Sequence, residues 1–330
     1  MWETKARNAL VETFMKALEE EKIPWRKCWN AAPLSFSTGK PYRGINNLML
    51  SYVADEKGYK DTRWMTYKYA QDHGWQVRKG EKSVRVEYWT YYDTQLKKKL
   101  DQAEVARIQR EEPDRLKDIR LATYTYNVFN VEQIDGDIPP LKQEESRINV
   151  EQLTAQRDRF LAYLGVAFRE GGDRAFYSLG LDEIHMPYAD TFTSDYAYIC
   201  TLLHEAGHAT GHPCRLNRNT LANGWGSLEY AKEELRAEIA SAFTAQALNI
   251  PLTEAEVDIQ LQNHTAYLQS WIEVLAKDPN ELFAAIKDAD KIADYLLDNG
   301  RLLELAREAQ AYGNVVAPAE ELEDDYELEP

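Results

Sequence analysis

Three cysteines in 330 residues, Cys28, Cys200 and Cys214, are too few and too scattered to form a disulfide framework. The expectation that follows is a reducing, cytoplasmic setting. Long apolar runs are missing as well. None approaches the ~18 residues that a membrane span needs, and the start, Met1-Trp2-Glu3-Thr4-Lys5, lacks the apolar stretch of a secretory signal. No segment repeats, which excludes a solenoid. Histidine is scarce too: of six, His73, His185 and His264 are scattered, whereas His204, His208 and His212 fall within nine residues.

Charge is plentiful but unevenly placed. The net charge is −16, yet residues 1–100 carry 19 Lys and Arg against 12 Asp and Glu, so the remainder is strongly acidic. The same hundred residues hold six of the eight tryptophans. A basic, aromatic front half and an acidic back half imply two units with different partners.

The patterning reads as an α+β chain. Residues 3–21, 45–56 and 65–73 carry helical signals, with Gly74 closing the third. Residues 75–92 alternate and are rich in Val, Trp and Tyr around Arg78-Lys79-Gly80-Glu81-Lys82, which predicts a hairpin. Lys97–Lys117 is a highly charged segment, read as a solvated helix or an insertion, and 121–131 returns to strand character. These elements make a mixed α/β domain over residues 1–134. Asp135-Gly136-Asp137-Ile138-Pro139-Pro140 opens a linker, 135–148. Residues 149–312 form a mostly helical second domain with a small sheet: a helix at 150–164, strands at 175–178 and 183–186, then helices. The acidic stretch 313–330 is expected to be disordered.

The second domain contains His204-Glu205-Ala206-Gly207-His208. Histidines at i and i+4 share one helix face, at a separation from which two ring nitrogens reach a single tetrahedral Zn²⁺. Glu205, next to the first, is placed to take a proton from water and return it to a leaving amine. Such a five-residue string arises by chance, but about 26 residues on a second helix presents Glu233-Glu234-Leu235-Arg236-Ala237-Glu238. Two-histidine zinc enzymes take a third, carboxylate ligand from such a helix. Glu234 is the choice for that ligand, with Glu238 accepting a hydrogen bond from a ligand imidazole; Glu229 and Glu233 are the alternatives. His212 lies between Gly211 and Pro213, past the expected helix end, and Cys214 is disfavoured as a ligand. Zn²⁺, or Mn²⁺ or Co²⁺ in its place, is the expected metal.

In the front half, Trp25-Arg26-Lys27-Cys28-Trp29, Tyr42-Arg43, Arg63-Trp64 with Tyr67, and Arg78-Lys79 through Lys82 to Trp89 interleave cations with planar rings. Single-stranded nucleic acid is held by such pairs, phosphates on cations and bases on rings. Tryptophans in a small domain also serve as core, and composition alone leaves both readings open.

Several separate motifs, in order, carry a resemblance to a known family. In the front half they are Pro24-Trp25, Tyr42-Arg43-Gly44-Ile45-Asn46, Arg63-Trp64-Met65-Thr66-Tyr67 and Val77-Arg78-Lys79-Gly80-Glu81-Lys82. In the back half they are His204-Glu205-Ala206-Gly207-His208-Ala209-Thr210-Gly211-His212 and Tyr230-Ala231-Lys232-Glu233-Glu234-Leu235-Arg236-Ala237-Glu238. Over residues 1–312 the chain resembles the ArdC antirestriction family. The resemblance implies a single-stranded-DNA-binding domain followed by a zincin-like metallopeptidase domain, encoded on conjugative plasmids and protecting incoming DNA from host restriction. It places metal ligands at His204, His208 and Glu234 and the general base at Glu205. It adds Asn46 to the DNA-binding candidates and a host protein as a peptidase substrate. Lys97–Lys117 matches none of these motifs.

Two further readings stand beside that one. One is a DNA-coating protein whose metal site is structural or vestigial. The other is a nuclease, which two histidines and a glutamate suit less well than the oxygen-rich sites of Mg²⁺ chemistry. DNA held through phosphates would lose affinity steeply with added salt.

Overall fold

The computed structural model describes residues 2–23, 25, 31–141, 149–222, 227–250 and 267–316. The chain is α+β and divides into two compact units, residues 33–142 and residues 1–32 with 143–330. That division differs from the boundary expected at residue 134, because the first 32 residues cluster with the back unit. The physical reason lies in helix α1 (Trp2–Glu19). Its stripe of Val11, Phe14 and Leu18 is buried, and Trp25 meets Trp271 edge-on with ring centroids 5.4 Å apart.

The unit of residues 33–142 is built on a five-stranded sheet in the order β1 (Leu34–Ser35), β2 (Arg63–Thr66), β6 (Ile119–Asn130), β4 (Val84–Asp93), β5 (Lys98–Leu100). The β1–β2 pair is parallel and the others antiparallel. Helix α2 (Gly44–Lys57) covers one face, where Leu50, Trp64, Val84, Val86 and Val128 form the core. The predicted 75–92 hairpin does not form. Gln76–Val77 (β3) pairs instead with Ile134–Asp135 (β7), while β4 pairs with β6 over ten residues. Alternation specifies a strand, but the partner is set by which face is buried. Part of the expected linker is therefore sheet. The segment 97–117 is no loose insertion either: it supplies β5 and α4 (Gln102–Glu111), and Leu100 and Ile108 are buried. Asp101 caps α4 in a reciprocal capping box with Glu104. Helix α3 (Tyr67–Asp72) ends before Gly74, whose φ of 76° suits glycine.

In the second unit the expected helix at 150–164 breaks at Ala155–Gln156 into α5 (Val150–Thr154) and α6 (Arg157–Leu164). A three-stranded sheet follows in the order β8 (Ala167–Glu170), β10 (Glu183–Met186), β9 (Phe176–Ser178). Strand β8 was not expected from sequence, and β9 forms an edge. Helix α7 (Asp195–Ala209) starts at Ser194, whose side chain accepts from the Ala197 N–H. Helix α8 (Leu228–Ala247) is buried along most of its length, packing on α7 and on α10 (Asn280–Asp298). Helix α9 (267–277) sends Trp271 Nε1–H to the Ala231 carbonyl. Helix α11 (Leu302–Val316) ends the described chain, so most of the acidic tail expected at 313–330 lies outside the described residues. Among the described residues no helix is long and apolar enough to cross a membrane.

Trp64 is 1% exposed and Trp89 46% exposed, so the two rings must behave differently. Trp64→Ala is expected to lose about 3–5 kcal/mol of stability, whereas Trp89→Ala stays within about 0.5 kcal/mol. Urea unfolding monitored by circular dichroism measures both.

Candidate functional site

Helix α7 projects His204 and His208 toward α8, and Gly207 keeps the helices close: a Cβ there would lie 3.6 Å from Ala237 Cα. His204 Nε2 and His208 Nε2 are 3.1 Å apart, and the rings stand at 86°. Glu234 reaches both, with one oxygen 3.5 Å from His204 Nε2 and the other 3.3 Å from His208 Nε2. Ligands at 2.0–2.1 Å around a tetrahedral ion lie about 3.3 Å from one another, close to these separations. The three side chains thus offer a donor set that suits a single divalent transition metal.

The outward nitrogens are also engaged. His204 Nδ1 lies 3.2 Å from a Glu238 oxygen, and His208 Nδ1 lies 3.4 Å from a Glu233 oxygen. Such outer carboxylates fix ring orientation and raise ligand basicity. Glu233, an alternative ligand from sequence, thus faces the far side of His208. It is clamped by the Arg218 guanidinium and the Thr220 hydroxyl. Glu229, the other alternative, is paired with Lys232 near the surface. His212 lies off the triad, beside Cys214. Arg218 is a residue sequence reasoning missed; its Nη2 also donates to the Gly207 carbonyl at 2.8 Å, tying the end of α7 to α8.

Electrostatics match this geometry. Burial works against a charged His208, but Glu234 and Glu233 overcome it and raise its pKa to about 9. His204 behaves likewise: burial opposes its charge, and Glu234 and Glu238 hold its pKa well above the usual value. Burial works against Glu233 too, yet His208 and Arg218 bring its pKa down to about 2. Glu205 is different. Burial pushes its pKa up, and the helix that carries it packs on edge strand β9.

The nucleic-acid candidates divide sharply. Trp25 and Trp64 are each 1% exposed, so neither offers a face to a base. Asn46 spends its amide on β4, donating to the Glu87 carbonyl at 2.6 Å and accepting from the Glu87 N–H at 2.8 Å. Arg63 pairs with Asp61 at 2.6 Å and stacks over Phe36. Tyr42 is half-buried against the core. Arg78 is bound to Glu81 and Asp135, though 43% exposed. Tyr67, Trp89, Arg43, Lys79 and Lys82 are exposed, and Arg26 and Trp29 lie outside the described residues.

A different exposed surface emerges from the β4–β6 register, which sets Tyr88 opposite Tyr124, Val86 opposite Tyr126 and Tyr92 opposite Arg120. Directly opposed residues share a face, so four tyrosines line the continuation of the core face beyond Val84 and Val86. Tyr88 and Tyr126 are 49% and 43% exposed. Lys99, opposite Tyr92 on β5, places its Nζ 4.0 Å from the Tyr124 ring centroid and 5.6 Å from that of Tyr88. The signal available in sequence was Tyr124 and Tyr126 at i and i+2, which is uninformative until the strand register is known.

Comparison with known proteins follows this architecture. Residues 4–129 match ArdcN, the N-terminal domain of anti-restriction factor ArdC, and residues 155–288 match MPTase-PolyVal, a zincin-like metallopeptidase family. A DNA primase TraC of Escherichia coli is 40% identical over 299 residues, 87% of this chain but only 26% of that protein. The uncharacterized protein y4eC of Sinorhizobium fredii (strain NBRC 101917 / NGR234) is 34% identical over 297 residues, spanning 88% of this chain and 90% of that one. The crystal structure of the antirestriction ArdC protein from the R388 plasmid, in its metal-free form, superposes with a TM-score of 0.68 at 34% identity. It covers 89% of this chain and 97% of that one. The Mn(II)-bound form of the same protein gives 0.66. The chain belongs to the ArdC antirestriction family.

Proposed function

We propose that this chain is an antirestriction protein that holds single-stranded DNA on its β4–β6 tyrosine face and carries a metal-dependent peptidase site between α7 and α8. The observation that carries the reading is the His204–His208–Glu234 triad, preassembled at ligand spacing with Glu205 beside it. His204, His208 and Glu234 would hold a divalent cation, of the kind present in the Mn(II)-bound relative and expected here as zinc. Bound there, it supplies Lewis acidity to the scissile carbonyl.

The chain's own residues do the rest. Burial raises the pKa of Glu205 above the usual carboxylate value, which suits a group that must both accept and release a proton. It takes the proton of the attacking water and delivers it to the leaving amine. The helix that carries Glu205 packs on β9, whose outer edge is unpaired within its sheet. An extended peptide added along that edge would lie beside Glu205, which favours a protein substrate over a folded nucleic acid. Protection of incoming plasmid DNA would combine strand binding with removal of a host protein.

Glu205→Ala is expected to keep one tightly bound metal per site and to abolish cleavage of unfolded casein, while Glu234→Ala loses the metal. Elemental analysis and a protease assay separate the two. Residual cutting by Glu205→Ala would reject the assigned base. The same variant in a conjugation assay discriminates proteolysis from simple coating: full protection of transferred DNA would favour coating.

For DNA, Tyr88→Ala and Tyr126→Ala should each weaken oligo(dT) binding by about 1–3 kcal/mol, with Trp64→Phe unchanged, as read by fluorescence anisotropy. Residues 33–142 carry 19 Lys and Arg against 16 Asp and Glu. Many of these cations are paired, and a few phosphate contacts give a slope of log affinity on log salt of about −0.7 per contact. The slope is therefore expected to be shallow, near −2, rather than steep as composition suggested.

A further inference from the structure

Beyond the end of α7 the chain turns tightly: the Gly211 N–H bonds the His208 carbonyl and the Leu216 N–H bonds the Thr210 carbonyl. This turn sets His212 and Cys214 side by side, with Cys214 Sγ 2.9 Å from His212 Nδ1. The Cys214 backbone N–H also approaches the same nitrogen at 3.3 Å, so Nδ1 presents a lone pair rather than a proton. Asp182, from the turn between β9 and β10, brings a carboxylate oxygen to the pair. One ligand atom from each of the three residues lies within 4.8 Å of the other two.

We propose that Asp182, His212 and Cys214 form a second metal site in this chain, separate from the His204–His208–Glu234 triad, for a thiophilic divalent cation such as Zn²⁺. The donor set is one thiolate, one imidazole and one carboxylate, a borderline-soft combination that suits zinc and leaves a fourth position for water. The thiol proton of Cys214 is what the cation displaces, and metal binding releases it. Tetrahedral bonds to nitrogen and sulfur put those atoms about 3.6 Å apart, so the exposed Cys214 side chain swings outward by about 0.7 Å from its 2.9 Å contact.

The carboxylate is already held for this purpose. The Arg215 guanidinium donates to both oxygens of Asp182, and Tyr177 Oη–H donates to one of them at 2.6 Å. Arg215 is itself anchored, its Nε donating to the Ala209 carbonyl at 2.6 Å. The arginine reduces the negative charge, but thiolate and carboxylate together still leave the site one charge negative. Bound metal would staple the loop after α7 to the β9–β10 turn. Tyr177 belongs to that hairpin, whose strand β9 packs on α7, so the staple would hold the edge strand in place beside the helix that carries the general base.

Cobalt(II) titration of the metal-free, reduced full chain tests this directly, because cobalt bound to a thiolate gives an intense near-ultraviolet charge-transfer band that nitrogen and oxygen ligands do not. Wild type is expected to take two equivalents and to show the band. Cys214→Ser should take one equivalent and lose the band entirely, while Cys28→Ser retains it. His208→Ala should lose the other equivalent and keep the band, and a band from a single equivalent unaffected by His208→Ala would still support the Cys214 site while counting against the triad. Two equivalents without a sulfur band, or a band that survives Cys214→Ser, would overturn the proposal.

Discussion

The structure of the second unit depends on how one buried carboxylate is compensated. Glu234 is 3% exposed and sits between two imidazoles, with Glu233 on the same helix at 2% and Glu205 facing them from α7 at 7%. Removing that much negative charge from water is costly unless it is paired in good geometry. Arg218 answers for Glu233. Glu234 lies between His204 and His208 and, against the cost of burial, favours the charged form of each imidazole. A divalent cation held by the same three side chains would supply the positive charge that the carboxylate calls for.

That requirement explains the composition of the two helices. Ala206 and Gly207 on α7 and Ala237 and Ala240 on α8 are small and buried, letting the backbones approach until the ligand atoms converge. The outer partner Glu238 falls at i+4 from Glu234, on the same helical face, and Glu233 immediately precedes Glu234, so one short stretch of α8 presents ligand and orienting groups together. Arg236 points the other way, to Glu281 and Asp288 on α10. One helix thereby satisfies charges on both its sides, and its burial follows.

How much of this was legible in sequence varied with the range of the interaction. His204, Glu205, His208, Glu234 and Glu238 could be read because their relation is local, fixed by helix periodicity within each of two segments. Helix limits such as 45–56 against the observed Gly44–Lys57 were equally local. What depended on distant pairing was not legible: the partner of the 75–92 strand, the choice at 97–117 between a helix, which forms at Gln102–Glu111, and an insertion, and the attachment of residues 1–32. Trp25 and Trp64 carried the same residue-level signal as a stacking platform, and Asn46 came only with the family resemblance. The difference is that Trp271, the α2 core and the β4 backbone claim them, and none of those partners is near in sequence. Arg218 was invisible for the same reason.

The corrected surface changes the physics expected of the first unit. Residues 33–142 are nearly balanced in charge. Arg63, Lys98 and Arg115 are paired with Asp61, Glu104 and Asp93, so part of that basic character is already answered within the fold. Long-range attraction to a polyanion is then weak, and affinity has to come from contacts at the surface. Tyr88, Tyr124 and Tyr126 stand on paired strands ten residues long, so their rings are ordered before any ligand arrives and little entropy is lost on stacking. Lys99 over two of the rings adds a cation where a phosphate would pass. A duplex hides its bases and gains nothing from such a face, whereas an unpaired strand exposes them. The proposed preference for single strands would thus rest on the register of β4 on β6 rather than on the charge of the chain.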